Sequence, residues 1–193
     1  IDFTSTYGSQ VTIETVYYSW PEEESFYTDI TANPDPAFSL ITQFKQSIPT
    51  GTNVVNPKTG DTFDFGSFGF KILYSPANDN YNFSQTEKVN FNNLSLVIKM
   101  TTSEKSILFL ADAGVGAGEW LIDNVSSTDL KADIVQTSHH GYNNTAAEQI
   151  YKYVKASMVI WPVASYEMKD CDLKNDPMNA ILKEIPDNMQ FAP

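Results

Sequence analysis

The sequence predicts a layered α/β fold, and three observations carry that prediction. A chain of 193 residues that is 41% hydrophobic has ample apolar mass for a sizeable core. Residues 51–100 read as short strands broken by tight turns. From there the pattern becomes strand, helix, strand, helix, strand, with strands at 107–111, 134–137 and 158–163 and helices at 119–124 and 146–154. These strands are nearly continuous apolar runs, as expected of strands covered on both faces.

Taken in order, residues 11–18 alternate, with Val11, Ile13 and Tyr17 on one face and Thr12, Glu14 and Tyr18 on the other, which predicts a half-buried strand ended by Pro21. Asn33-Pro34-Asp35-Pro36 opens a helix over about residues 37–48, where Phe38, Ile41, Phe44 and Ile48 fall at helical spacing. Pro49 and Gly51 stop it. The meander follows, through Val54-Val55, residues 62–65 and residues 68–74, with a turn at Lys58-Thr-Gly-Asp. Residues 77–91 lack apolar period and read as a long loop. Leu94, Leu96, Ile98 and Met100 alternate with Ser95, Val97 and Lys99, predicting a strand whose apolar face carries the first four. The last residues, 187–193, show neither a capped helix nor a closing strand. One domain over 1–193 is the simplest organisation, with no internal repeat or Pro/Gly/Ser-rich linker.

The formal charge is −12, from 24 acidic and 12 basic residues, and every basic residue is lysine. Duplex nucleic acid is therefore not an expected partner, because that recognition rests on cationic contacts with arginine as the usual bidentate reader. Cys171 is the one cysteine, which excludes an intramolecular disulfide framework and a thiolate zinc cluster. No run reaches the roughly 18 apolar residues of a membrane span. Sequons at Asn82, Asn93, Asn124 and Asn143 decide nothing in a chain this rich in Asn, Ser and Thr.

Two of the apolar strands end in residues that can ligate metal. Leu108-Phe-Leu-Ala-Asp112 delivers a carboxylate, and Ala132-Asp-Ile-Val-Gln-Thr-Ser-His139-His140-Gly141 delivers imidazoles. A metal held by such groups turns water into a nucleophile near neutral pH. The bland readings are a turn carboxylate ahead of Ala113-Gly114 and a histidine pair satisfied by backbone at a strand end. Gly114-Val-Gly116-Ala-Gly118 lacks the lysine and spacing of a phosphate loop, and Ser138 has no nucleophile elbow around it. Trp20 and Tyr27, among the aromatics around Pro21, are candidates for lining a substrate entrance.

Together, Asn92-Asn-Leu-Ser-Leu-Val-Ile98, Leu108-Phe-Leu-Ala-Asp112 and Asp133-Ile-Val-Gln-Thr-Ser-His-His-Gly141 resemble the later motifs of the metallo-β-lactamase superfamily. The closest flavour is the branch with the hydrolase domain of competence proteins and bacterial phosphorylcholine esterases. The resemblance covers roughly residues 11–163 and implies a four-layer αββα sandwich with a dinuclear metal site, most often zinc, at one edge of two sheets. It makes Asp112 the carboxylate bridging two metals and His139 the last histidine ligand, preferred over His140. His140 then contacts substrate and steadies charge on it, with Tyr142 beside it where a small Ser is usual.

The chain departs from the family in lacking the His-x-His-x-Asp-His run and the next histidine, since His139 and His140 are its only two. Because residues 11–18 resemble the strand after that run, the expectation is a domain whose N-terminal portion lies outside this chain. Two functions follow from the resemblance. One is a metal-dependent hydrolase of a small-molecule or cell-surface ester or phosphodiester, extracytoplasmic by inclination and with this chain inactive alone. The other is a catalytically degenerate binding or scaffold module. A second copy of the chain, as a homodimer, is a candidate source of missing ligands. An unrelated β-rich adhesive domain would leave the Asp112 and His139 motifs unexplained.

Overall fold

The computed structural model describes residues 11–20, 36–76, 91–142 and 147–193. Among these, β1 (Thr15–Tyr17) pairs in parallel with β2 (Asn53–Val55), with helix α1 (Pro36–Ser47) between them in sequence. The larger element is a seven-stranded mixed sheet. Its antiparallel half is a meander of β3 (Thr62–Asp64), β4 (Phe68–Tyr74), β5 (Val97–Thr102) and β6 (Ser106–Phe109). Its parallel half runs from β6 through β7 (Ile134–Gln136) and β8 (Met158–Ile160) to β9 (Gln190–Phe191).

Helices supply the crossovers that parallel strands require. Between β6 and β7 lie α2 (Val115–Asn124) and the short α3 (Ser127–Leu130), and α4 (Ala147–Val154) joins β7 to β8. After β8 come α5 (Ser165–Asp170) and α6 (Ala180–Lys183). Helix α4 turns Ile150, Tyr151 and Val154 inward and leaves Lys152 and Tyr153 outward, so that Val154 follows the other two at the three- and four-residue spacings of an amphipathic helix. The core joins these residues to Leu108, Val135 and Val159 of the three central parallel strands, each fully buried. Each such side chain is worth about 1.5–3 kcal/mol of burial. Trp120 of α2 packs over Tyr74 of β4 with ring centroids 5.1 Å apart, so the helical layer covers the antiparallel half as well.

The expected helix at 37–48 and the parallel strand series are present within a residue or two at most ends, while α2 begins four residues before its expected start at 119. Several expectations are corrected. The strand at 11–18 shrinks to β1, and its facing reverses, because Tyr17 is 41% exposed while Tyr18 is 8% exposed and packs on Trp20 and Phe44. Val54-Val55 leaves the meander and pairs with β1. In β5 the fully buried residue is Val97, on the face opposite Ile98 and Met100, because that face lies under the helical layer. Leu94 sits in a 3₁₀ turn before the strand. The chain end does close a sheet, since Trp161 N–H donates to Phe191 O at 2.7 Å and Ser165 N–H to Pro193 O at 2.8 Å. The expected loop at 77–91 lies outside the described residues except for Phe91, and Tyr27 lies outside them altogether. Among the described residues no helix is long and apolar enough to cross a membrane.

Candidate functional site

Strands β6 and β7 run in parallel, so their C-terminal ends emerge side by side. Phe109 is in register with Gln136, and the chain leaves β6 toward Asp112 and β7 toward His139 and His140. Gln136 ties the two exits together. Its Oε1 accepts from Ala111 N–H at 2.8 Å, and its Nε2 donates to Ala111 O at 3.3 Å. His139 N–H donates to Ala111 O as well, at 2.9 Å.

The motif upstream of β5 braces the same loop. Ser95 Oγ accepts from Asp112 N–H at 3.1 Å, and Asn93 Oδ1 accepts from Ala117 N–H at 3.1 Å in the first turn of α2. Asn93 thus satisfies one of the amide groups a helix start leaves open. The glycine-rich stretch 114–118 is that helix start, with Gly118 buried in it, and not a free loop.

The backbone at the two exits is left-handed. Ala111 has φ 50°, and His139, His140 and Gly141 follow one another at 47°, 60° and 89°. Such conformations cost a non-glycine residue of order 1–3 kcal/mol each and persist only where the surroundings over-determine them. The surroundings are visible. A Cβ on Gly141 would come within 2.5 Å of the buried Trp161 ring, and Asn179 Nδ2 donates to Gly141 O at 2.7 Å. Ser138 N–H donates to the hydroxyl of Tyr151, whose burial pushes its ionisation up to about 12 while that bond acts in the opposite direction.

This backbone sets His140 opposite Asp112. His140 Nδ1 lies 2.5 Å from Pro162 O, and because a carbonyl only accepts, Nδ1 carries the proton and donates. Nε2 then faces Asp112 Oδ1 at 3.5 Å, with the two side chains 43% and 48% exposed. A bare imidazole nitrogen and a carboxylate repel unless a cation lies between them, either a second imidazole proton or a metal ion. Two ligands about 2 Å from a tetrahedral metal stand about 3.3 Å apart, so the observed separation suits a shared ion. A histidine whose other nitrogen donates to a backbone carbonyl is also the usual form of a metal-ligating imidazole.

His139 stands beside this pair, with its ring centroid 6.2 Å from that of His140 and 6.1 Å from that of Tyr142. Tyr142 Oη donates to Glu167 Oε1 on α5, and that carboxylate holds the phenol well above its ordinary range. The four residues singled out from sequence therefore lie together beyond the C-terminal ends of β6 and β7. The Pro162 carbonyl and Glu167 were not anticipated. Neither has a sequence signature, since the first is backbone and the second is one acid among 24. Gln136 could have been found, as a polar residue inside an otherwise apolar strand. Among the described residues no group of three or more His, Cys, Asp or Glu is placed to hold a metal ion.

Asp112 also lines an open cleft of about 630 Å³ between the end of β1, α1 and the start of β5. Trp20, expected from sequence at a substrate entrance, is in its wall.

No family model matches the chain, and no curated protein does. Among solved structures, the crystal structure of the metallo-beta-lactamase fold protein YhfI from Bacillus subtilis aligns with 100% of this chain and 80% of its own, at 10% identity and a TM-score of 0.47.

Proposed function

We propose that the chain carries part of the metal centre of a metallo-β-lactamase-fold hydrolase, with Asp112 and His140 as two ligands of one divalent ion. The supporting observation is the facing pair, Asp112 Oδ1 and His140 Nε2 at 3.5 Å, with the far nitrogen of His140 fixed on Pro162 O. This assigns to His140 the ligand position that the motif resemblance assigns to His139. His139 would then hold the neighbouring ion of a two-metal site. The three sequence motifs and the mixed sheet with its site at the strand ends are the further support. In this reading the β1–β2 pair belongs to the second inner layer of an αββα sandwich. The remaining ligands come from outside the described residues or from a second copy of the chain.

When bound, zinc or a similar ion lowers the pKa of coordinated water and polarises an ester or phosphoryl oxygen. The chain's own contribution is positional. Pro162 O fixes the tautomer and ring plane of His140, Ser95 and Gln136 fix the loop that presents Asp112, and Glu167 orients the Tyr142 ring at the rim. The substrate class that fits is a small or surface-borne ester or phosphodiester, since a chain of net charge −12 without arginine repels nucleic-acid polyanions.

The test is zinc stoichiometry and affinity by titration calorimetry on the wild-type chain, Asp112→Asn and His140→Ala. The reading predicts bound zinc in the wild type and at least about a hundredfold weaker binding in each variant, or about 2.7 kcal/mol. Absence of zinc binding, or binding that both variants leave unchanged, would overturn it and leave a non-catalytic module.

A further inference from the structure

We infer that the cleft lined by Asp112 takes a neutral aryl group, so that the substrate of the proposed metal centre is an ester with one bulky uncharged side. The identification of the occupant as part of an ester rests on the reading above, whereas the binding property of the cleft does not. At about 630 Å³ the cleft falls in the volume range of small-molecule sites. Its wall is built from three rings that lock one another. Tyr18 stacks on Trp20 at 5.4 Å, and Phe44 of α1 stands edge-on to both, at 6.0 and 5.1 Å. Leu40, from the same helix, is 54% exposed at the cleft, and its neighbours Ile41 and Phe44 there are partly covered.

Two of the hydroxyls in the lining are already engaged. Ser75 Oγ donates to Pro57 O, so the hydroxyl of Ser19 donates to Ser75, while Ser95 Oγ is engaged by the backbone N–H of Asp112. Both serines therefore already hold partners within the fold. Among the described residues the lining contains no lysine and Asp112 is its one charged residue, while Lys45 Nζ lies 5.5 Å from the centroid of the Tyr18 ring. In the metal-free chain a carboxylate in an apolar trough disfavours an anionic ligand, and a neutral ring or acyl chain is the favoured occupant, with aromatic stacking adding to burial. Because Asp112 belongs to both features, a group lying in the cleft is held next to the proposed metal position.

The test is a fluorescence titration of 1-naphthol into the metal-free chain, compared with 1-naphthyl phosphate and repeated on Leu40→Asp and Phe65→Asp. Both substituted residues are about half exposed, at 54% and 51%, so both variants should fold, and Phe65 lies in a separate exposed aromatic group with Phe68 and Phe70. The inference predicts that 1-naphthol binds at least tenfold more tightly than 1-naphthyl phosphate, that Leu40→Asp weakens 1-naphthol at least tenfold, and that Phe65→Asp leaves it within twofold. No 1-naphthol binding, equal binding of the two probes, or a loss shared by both variants would overturn it. Zinc titration of the same samples reports on the metal reading separately. Retained 1-naphthol binding without zinc binding would contradict only the centre, and zinc binding without 1-naphthol binding only the cleft.

Discussion

Strands β6 and β7 end very differently at their two extremities. At their N-terminal ends, Asp133 Oδ2 accepts from both the N–H and the hydroxyl of Ser106, at 2.8 and 2.9 Å, and Asp133 N–H returns a bond to Ser106 O at 3.1 Å. This is a regular clasp whose carboxylate lies below its ordinary ionisation range because Ser106 donates to it, with Lys105 adding a smaller effect. At the C-terminal ends the backbone at Ala111, His139, His140 and Gly141 is left-handed, and a carboxylate faces an imidazole with no atom of the chain between them. One end uses its polar groups to hold the strands in register. The other uses the register to hold polar groups in positions the chain alone would not favour, which is the usual signature of a working site.

The largest expected effect lies at the strained end. Gly141→Ala places a Cβ 2.5 and 2.8 Å from the Trp161 ring at a residue with φ 89°, and should cost about 3 kcal/mol or more in chemical denaturation. A loss under 1 kcal/mol would show that the turn is free to relax and that its backbone is not imposed by the core. At the clasp, Asp133→Asn keeps the acceptor but removes the charge, and should cost about 1 kcal/mol or less at pH 7, because a side chain 39% exposed is screened by solvent. The cost should depend on pH in a defined direction. Since the carboxyl is depressed below 3.8 in the fold, its contribution is complete above that value and is lost as pH falls through the folded value. Stability curves of wild type and variant should therefore converge below about pH 4, and a constant gap across that window would contradict the clasp. The smallest effect sharpens the contrast. Ala111→Gly, at an exposed position with φ 50°, should stabilise the fold by about 0.5–1 kcal/mol, where a glycine in regular structure would destabilise it.

The same contrast explains what could be read from the residues. Apolar runs mark β6, β7 and β8 as strands covered on both faces, and their parallel pairing brings Asp112 to the histidine pair. Helix α1 is legible from Phe38, Ile41 and Phe44 at helical spacing after Pro36. The facing of β1 and β5 is not, since Val97 and Ile98 are both apolar and alternation carries no signal where both faces are covered. Strand β9 escapes notice because two residues, Gln190 and Phe191, have no period of their own and are recruited by Trp161 and Ile160. At the site, which of the adjacent histidines faces Asp112 cannot be read from their order. It depends on the left-handed turn and on a backbone carbonyl, Pro162 O, to which no side-chain pattern points.

The central claim, that the strained strand ends exist to present His140 to a metal shared with Asp112, is tested most directly by the ¹⁵N resonances of the imidazoles. The chain has two histidines, so a long-range ¹H–¹⁵N spectrum with and without zinc, assigned with His139→Gln, observes His140 alone. The account predicts that His140 keeps its Nδ1 proton throughout and that its Nε2 resonance shifts strongly on adding zinc, with the shift abolished in Asp112→Asn. An Nε2 resonance of His140 that does not respond to zinc would contradict it.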